Sequence, residues 1–298
     1  MVSEKVKYGL RVLKSFISSV KLKTNDLELS LNIDPERGMA DSGDLESDLV
    51  QLFVALGEAA RERNTAVAII IDELQYLKEA ELSALIMAVH RIAQKALPVI
   101  LIAAGLPQLV AHAGKAKSYS ERLFRYPQIG PLNEGDAKQA LRDPAQREGV
   151  DFTDEALSEI VRVTQGYPYF LQEWAYQAWN MANQSPIDAS VIKQATKVAL
   201  NRLDESFFRV RFDRLTPREK DYLRALAEFG AKPQRSGDIA LKLGMDVNTA
   251  APLRNSLIKK GMIYSPLHGD TAFTVPLFED FMKRTIPIFE KTAHKQKI

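Results

Sequence analysis

Two short apolar runs separated by one helix-length segment constrain the fold of this chain most strongly. They are residues 66–71 and 98–103, rich in isoleucine and valine. Continuous β-branched runs of this length are typical of strands buried on both faces of a parallel sheet. Residues 79–96 between them have a helical pattern, so the sequence predicts a right-handed βαβ unit and an α/β fold.

Upstream of this unit the pattern is mostly helical. An amphipathic stripe over residues 3–18 predicts a helix packed on the sheet, with a membrane-surface helix as the alternative. Two alternating runs around residues 24–26 predict a β-hairpin. Residues 34–44 have the composition of a loop, and residues 45–63 predict a second helix.

The middle of the chain predicts an all-helical domain, which we place at residues 131–212. The apolar spacing indicates four helices, at residues 134–147, 154–164, 168–182 and 188–212. Thr153 is expected to cap the second of these helices. Gly166 followed by Pro168 predicts a helix end and a new helix start.

The last segment, residues 213–298, begins with a capping box of Thr216 and Glu219, with proline at the first helical position. Ser236 is expected to cap the next helix, and Pro252 to lie near the first turn of the third, where it is tolerated. The predicted order is three helices and a hairpin, at residues 217–229, 236–244, 248–260, 262–265 and 271–275. This is the order of a winged helix-turn-helix, and residues 1–130 are left as the sheet domain.

The cysteine and histidine content of the chain limits the chemistry that it can perform. The 298 residues include no cysteine, which excludes disulfides, iron–sulfur clusters and a cysteine nucleophile and favours a reducing, cytoplasmic location. The histidines are few and scattered, so no histidine metal cage is expected. The longest apolar stretch is too short to span a membrane, and no signal peptide or hydrolase motif is found.

The net charge of +2 conceals an asymmetry. Residues 1–206 carry 23 Lys and Arg against 28 Asp and Glu, whereas residues 207–298 carry 17 against 10. A basic terminal segment on an acidic body predicts a polyanion-binding module at the C-terminus.

Asp72 and Glu73 directly follow the first predicted strand. In an open α/β sheet, ligands bind at the carboxyl ends of the strands. There an aspartate can hold Mg²⁺, usually through water, and a glutamate can orient an attacking water. The alternative is that Asp72 merely caps a following helix.

Two further segments fit the same chemistry. Gly105 follows the second strand, where a γ-phosphate is sensed in ATP-driven proteins. Arg122 lies at the edge of the sheet domain, where an arginine can stabilise charge in phosphoryl transfer in a neighbouring subunit. For Arg122 a salt bridge to a nearby carboxylate is an equal alternative.

Six motifs in order, over nearly the whole chain, resemble bacterial AAA+-type ATPases with a P-loop core, a helical lid and a C-terminal winged helix. They are IIIDELQYL, AAGLPQL, SYSERLF, GYPYFLQEWAYQAW, LTPREKDYLRALAEFG and KGMIYSPLHGDTAFTVPLFEDFM. Archaeal ATPases and origin-recognition initiators have a similar layout. The resemblance implies ATP and Mg²⁺ as cofactors, with Asp72 as the Walker B magnesium ligand and Glu73 as the water activator. It also implies Gln75 nearby, Arg122 as the finger, Gly105 at the first sensor, and Gly166 and Pro168 at the lid.

The sequence departs from this family at two places. It contains no G-x-x-x-x-G-K-[ST]; Gly114-Lys115 is followed by Ala116 and has no glycine five residues earlier. The first sensor position is apolar, at Ala103 and Ala104. Because P-loop amides and lysine neutralise the phosphates, we expect the chain alone to bind ATP weakly or not at all. Loss of a central strand would also uncover apolar sheet surface and favour self-association.

The third helix of the predicted winged helix suggests DNA as a partner. Val247, Ala250, Leu253, Leu257 and Ile258 are expected to face inward. Six polar or basic residues would then face bases and phosphates: Asn248, Thr249, Arg254, Asn255, Lys259 and Lys260. Many winged helices dock proteins instead, so that reading stays open.

The leading interpretation is a DNA-associated AAA+-type ATPase in a form that lacks its P-loop. The alternative is a non-enzymatic DNA- or protein-binding winged-helix regulator. The DNA directly upstream of the Met1 codon separates them, since an in-frame strand with a P-loop motif there would indicate truncation or a misplaced start.

Overall fold

The computed structural model describes residues 4–19 and 34–289, and the chain divides into two compact units at Pro127 and Gln128. The hairpin predicted around residues 24–26 lies outside the described residues. The first unit contains seven labelled elements among them: α1 (Glu4–Ser19), α2 (Leu45–Glu62), β1 (Val67–Ile71), α3 (Glu79–Gln94), β2 (Val99–Ala103), α4 (Leu109–Ala116) and α5 (Ser120–Leu123).

β1 and β2 pair in parallel, in register from Val67 opposite Val99 to Ile71 opposite Ala103, which confirms the predicted parallel pair. Ile69 and Leu101 pack against a core formed mainly by α2 and α3. α1 packs chiefly on α2, where Val12 is fully buried.

The prediction that both faces of the sheet are buried is wrong for the described residues. Ile70, Ile100 and Ile102 are 75%, 55% and 51% exposed. The packed helices of this unit share the face that holds Ile69 and Leu101, so every second strand position meets solvent. The sequence hid this alternation because the outward positions are also isoleucine.

The second unit is mainly helical in its first half. The described elements are α6 (Glu134–Arg147), α7 (Asp154–Thr164), α8 (Pro168–Met181), α9 (Ala189–Arg202), a π-helical segment (Leu203–Phe208) and α10 (Arg209–Asp213). The first three predicted helices are confirmed, as is the cap of α7, where Thr153 accepts a hydrogen bond from the Ala156 N–H. The long helix expected over 188–212 is interrupted by the π segment.

The rest of the second unit alternates helices and short strands: α11 (Pro217–Ala227), β3 (Gln234–Arg235), α12 (Ser236–Leu243), α13 (Val247–Lys259), β4 (Ile263–Tyr264), β5 (Asp270–Phe273) and α14 (Phe278–Thr285). The strands form an antiparallel sheet in the order β3-β5-β4. The predicted hairpin is therefore confirmed, and it gains β3 as a third strand.

Two local predictions in this region are wrong. Ser236 is the first residue of α12 and not its cap; its hydroxyl instead donates to the Gly269 carbonyl at 2.8 Å, which ties α12 to the β4–β5 hairpin. Pro252 is the sixth residue of α13, past the first turn, because that helix begins at Val247.

One hydrophobic cluster runs through the second unit. Phe208 of the π segment lies 5.5 Å from Phe278 and 5.3 Å from Phe281, measured between ring centroids. Phe212 contacts Phe281 in an edge-to-face pair. The segments predicted as separate at residues 212 and 213 therefore share a core. Among the described residues, no helix is long and apolar enough to cross a membrane.

A buried carboxylate links α11 to α13. The Glu219 side chain, 4% exposed, accepts hydrogen bonds from Lys260 Nζ, Ser256 Oγ and the Thr216 N–H, the last completing the predicted capping box. Burial alone would raise the pKa of Glu219, but these donors outweigh it and lower the pKa to about 2.

We expect the ionised Glu219 carboxylate to stabilise the fold above about pH 5, because its hydrogen bonds lower its pKa in the folded state and are absent from the unfolded state. The stabilisation should be lost as the pH falls toward 2 and the carboxylate of the folded state is protonated. The loss should reach about 3 kcal/mol. Urea denaturation of the wild type and Glu219→Gln across this range measures it: the variant should be less stable at pH 6 and much less dependent on pH. Glu155→Gln, at an exposed position on α7, should behave as wild type. Parallel pH profiles for Glu219→Gln and wild type would contradict the assignment.

Candidate site at the carboxyl ends of the parallel strands

The segments that follow β1 and β2 lie side by side. The Ile71 carbonyl accepts a hydrogen bond from the Ala104 N–H, and the Leu74 N–H donates to the Ala104 carbonyl, both at 2.9 Å. These two bonds extend the pairing past the ends of the strands. They bring the acidic pair and the Gly105 loop to one edge of the sheet.

Asp72 and Glu73 are both exposed at this edge. Asp72 Oδ1 accepts a hydrogen bond from the Glu73 N–H at 2.7 Å. Glu73 adopts a left-handed conformation with φ +55°, which costs a non-glycine residue about 1 kcal/mol or more. The next helical turn, a 3₁₀ turn at Leu74–Tyr76, has no side-chain cap, so the interpretation of Asp72 as a helix cap is wrong.

Gln75 connects the acidic pair to the second strand's loop. It is largely buried; its Nε2 donates to Glu73 Oε2, and its Oε1 accepts from the Leu106 N–H at 3.0 Å. The family resemblance implies only that Gln75 lies near the site. The sequence contains one signal for this role. Gln75 comes two residues after Glu73 near the end of a strand, and its amide has both a donor and an acceptor that can join two loops.

Gly105 has no room for a side chain. A Cβ there would lie 2.8 Å from Gln75 Oε1 and 3.0 Å from Leu109 Cδ2. The glycine therefore allows the loop to close onto Gln75.

The donor set suits a cation that arrives with its own oxygen ligands. Within residues 4–19 and 34–289 no group of three or more His, Cys, Asp or Glu side chains could hold a metal ion. Mg²⁺ usually keeps several waters and takes one or two carboxylates plus substrate phosphates. Asp72, with Glu73 beside it, fits that requirement: the pair would hold a hydrated Mg²⁺ weakly by itself, and substrate phosphates would complete the site.

Arg122 lies on the short helix α5 with its side chain exposed. It makes no ion pair with any residue that the structure describes, so the expected salt bridge to a nearby carboxylate is not found there. A free guanidinium is what a finger that acts on another subunit requires.

The predicted lid residues belong to the second unit. Gly166 has φ +71°, its carbonyl accepts from the Leu132 N–H at 2.9 Å, and a Cβ on it would lie 2.3 Å from the Leu132 oxygen. Pro168 is the first residue of α8. Their local packing explains both residues, and their cofactor role stays a prediction.

The residues predicted to bind DNA lie on α13 or, for Lys260, directly after it, and they fall into two groups. Asn248, Thr249, Asn255 and Lys259 are exposed. Arg254 instead donates to Thr271 Oγ1 and to the Asp270 carbonyl, at 2.8 and 2.7 Å, and Lys260 is held by Glu219. Arg254 and Lys260 therefore hold α13 to the sheet and to α11.

The inward stripe predicted for α13 is correct for Ala250 and Leu257, which are buried. Val247 is 48% exposed, because it is the first residue of the helix and lies at its open end. The N-terminal turn of α13 thus presents an apolar group beside Asn248 and Thr249.

Comparison with known proteins gives one family match and several weak structural likenesses. A family described as a domain of unknown function (DUF8462) matches residues 205–282, from the π segment to α14. No curated protein matches the chain.

Among solved structures, the chain is similar to the RuvB Holliday junction branch migration motor of Thermotoga maritima, at 15% identity, 76% of this chain and 80% of that one covered, and a TM-score of 0.41. A single-substitution variant of the same RuvB gives 15% identity, 78% and 81% coverage and a TM-score of 0.42.

Gly105→Ala should lower the free energy of unfolding by about 1–3 kcal/mol, because the added methyl forces Gln75 or Leu109 to move. Gly114→Ala is the matched control. Among the described residues, a Cβ on this α4 glycine would come within 4.0 Å of Glu121 Oε1 alone, so the change should stabilise the protein by about 0.5–1 kcal/mol. Urea denaturation measures both, and equal effects of the two substitutions would refute the close packing at Gly105.

Proposed function

We propose that this chain is an AAA+-type, ATPase-related protein that associates with DNA, and that it is inactive as an ATPase without a P-loop. The observation that carries the proposal is the exposed Asp72–Glu73 pair at the carboxyl end of a parallel strand, bonded through Gln75 to the loop of the next strand. Ligands of open α/β sheets bind at this edge.

Each residue of the edge has a role in this proposal. When ATP and Mg²⁺ are bound, the metal neutralises charge on the transferred phosphoryl group. Asp72 would hold the metal through water, and one of its carboxylate oxygens is directed by a bond from the Glu73 N–H. Glu73 would orient the attacking water, the Gly105 loop would lie near the terminal phosphate, and Arg122 would act on a neighbouring subunit.

The missing element is the phosphate cradle. The sequence holds no G-x-x-x-x-G-K-[ST], and two exposed carboxylates repel a triphosphate unless amides and a lysine offset them. Nucleotide binding therefore depends on a loop that these 298 residues do not supply.

DNA association is assigned to the segment from α11 to β5, which has three helices and a three-stranded sheet and which we take to be a winged helix. The N-terminal turn of α13 exposes Asn248 and Thr249, where a recognition helix contacts base edges. Lys259 at its other end is free to meet a phosphate, and the segment from residue 207 onward is basic.

A specific observation favours protein docking as the second candidate. Two of the three basic residues predicted to bind DNA, Arg254 and Lys260, make contacts within the chain instead. The same segment exposes three large apolar side chains, Leu241, Val247 and Leu267. A non-enzymatic regulator that binds a protein through this surface is therefore the alternative.

Self-association is also part of the proposal, through the sheet face of Ile70, Ile100 and Ile102. Sedimentation velocity over a range of concentrations checks it, and a monomer at all concentrations would exclude it. The cysteine-free sequence suits the cytoplasm, which is the compartment that we propose.

Calorimetric titration with ATP and MgCl₂ should show no saturable binding to the 298-residue chain below the millimolar range, because nothing neutralises the phosphates. Joining a strand, a P-loop motif and a helix ahead of Met1 should give micromolar binding and measurable hydrolysis.

In the joined protein Glu73→Gln should keep ATP binding and lose about 100-fold or more in hydrolysis rate. Glu62→Gln, an exposed carboxylate at the end of α2, is the control and should change neither. Micromolar binding by the chain alone, or hydrolysis that is unaffected by Glu73→Gln, would contradict the proposal.

Binding to a labelled DNA duplex, followed by fluorescence anisotropy, should weaken steeply with salt. If about six phosphates are neutralised, the slope of log affinity against log salt is about −5. Lys259→Gln should reduce that slope by about one, whereas Lys193→Gln, an exposed lysine on α9, should leave it unchanged. Absent or salt-independent binding would favour the protein-docking alternative.

A further inference from the structure

We propose that Gln75 is a positioning residue that couples the Glu73 carboxylate to the loop after β2, so that the two move together. The functional meaning of this coupling rests on the proposed function, because it assigns to the water-orienting glutamate a direct link with the loop expected to meet the terminal phosphate. The link itself is a property of this chain's own residues.

The amide of Gln75 uses both of its ends. Nε2 donates to Glu73 Oε2, while Oε1 accepts from the Leu106 N–H at 3.0 Å. Glutamate at this position would keep the acceptor but lose the donor, and alanine would lose both. Gln75 is 9% exposed, so little water reaches its amide.

The backbone bonds described around this loop hold Ala104 and the Leu106 carbonyl, which accepts from the Leu109 N–H at 2.9 Å. The Ile71–Ala104 and Leu74–Ala104 bonds fix residues up to Ala104. Beyond it, the described bond of the Leu106 N–H is the one to Gln75. Gly105 brings the loop against the same amide, where a Cβ would lie 2.8 Å from Oε1.

Glu73 is held in a conformation that it would not adopt by itself. Its φ of +55° is a left-handed value. Its carboxylate accepts from Gln75, its N–H donates to Asp72, and its carbonyl accepts from the Tyr76 N–H at 3.1 Å. When a ligand displaces the Leu106 loop, Gln75 moves and the Glu73 carboxylate loses its donor. By thermodynamic reciprocity, a ligand that draws Glu73 away loosens the loop by the same factor.

A role confined to packing predicts something different. If Gln75 only satisfies two polar groups independently, removal of the Glu73 carboxylate leaves the Leu106 bond unchanged. The coupling is therefore measured by a double-mutant cycle between positions 73 and 75, read at Leu106.

The experiment is hydrogen exchange of the Leu106 amide by NMR in the full 298-residue chain. Glu73→Ala should speed exchange at Leu106 by about 3–10-fold when Gln75 is present, and should add nothing in the Gln75→Ala background. Asp72→Asn is the matched control: it removes one charge from the neighbouring residue, keeps the acceptor for the Glu73 N–H, and should change exchange by less than about twofold. An unchanged Leu106 rate in Glu73→Ala, or equal effects in both backgrounds, would overturn the coupling.

A titration with MgCl₂ alone separates this inference from the proposed function. In the wild type, the Glu73 and Leu106 amide shifts should follow one binding curve, and in Gln75→Ala only Glu73 should respond. A Leu106 response that persists in Gln75→Ala would overturn the coupling. If Mg²⁺ moves neither signal in the wild type, the proposed metal role of the acidic pair fails, while the exchange cycle still decides the coupling.

Discussion

The geometry of the acidic edge depends on the parallel pairing of β1 with β2. The register from Val67–Val99 to Ile71–Ala103 determines which residues leave the sheet together. Two further backbone bonds to Ala104 extend that register past the strand ends. Leu106 therefore lies beside Glu73 and Gln75, although about thirty residues separate it from them along the chain. A slip of one residue would turn every side chain to the other face and dissolve this contact.

The second unit is organised differently, by a hydrophobic cluster and by a buried charge. Aromatic side chains of the π segment and of α14 pack together, so the helices before residue 213 and the module after it share one core. Glu219 then joins α11 to α13 through Lys260 and Ser256. Lys260, which the sequence predicts to contact DNA, instead helps to hold α13 in place. Arg254 likewise holds α13 to the β4–β5 hairpin.

Local signals in the sequence were sufficient for the helices and for the parallel strand pair. The capping box at Thr216 and the N-cap at Thr153 are chemical signals read within four residues, and both are confirmed. Contacts between residues far apart in the chain could not be predicted from the sequence. The partners of Lys260 and Ser236 lie 41 and 33 residues away, and no periodicity announces them. At the candidate site, the sequence indicated the acidic pair by its place after a strand, whereas the bridge through Gln75 depends on how two loops approach.

The outward face of the small sheet has a consequence for protein engineering. Ile70, Ile100 and Ile102 touch little within the first unit, yet their β-branched shape suits the strand. Threonine has the same branching and a hydroxyl that water can satisfy. Replacing these three isoleucines with threonine would therefore make the surface more polar and keep the strand register. The arrangement of the acidic edge, which depends on that register, would be unchanged.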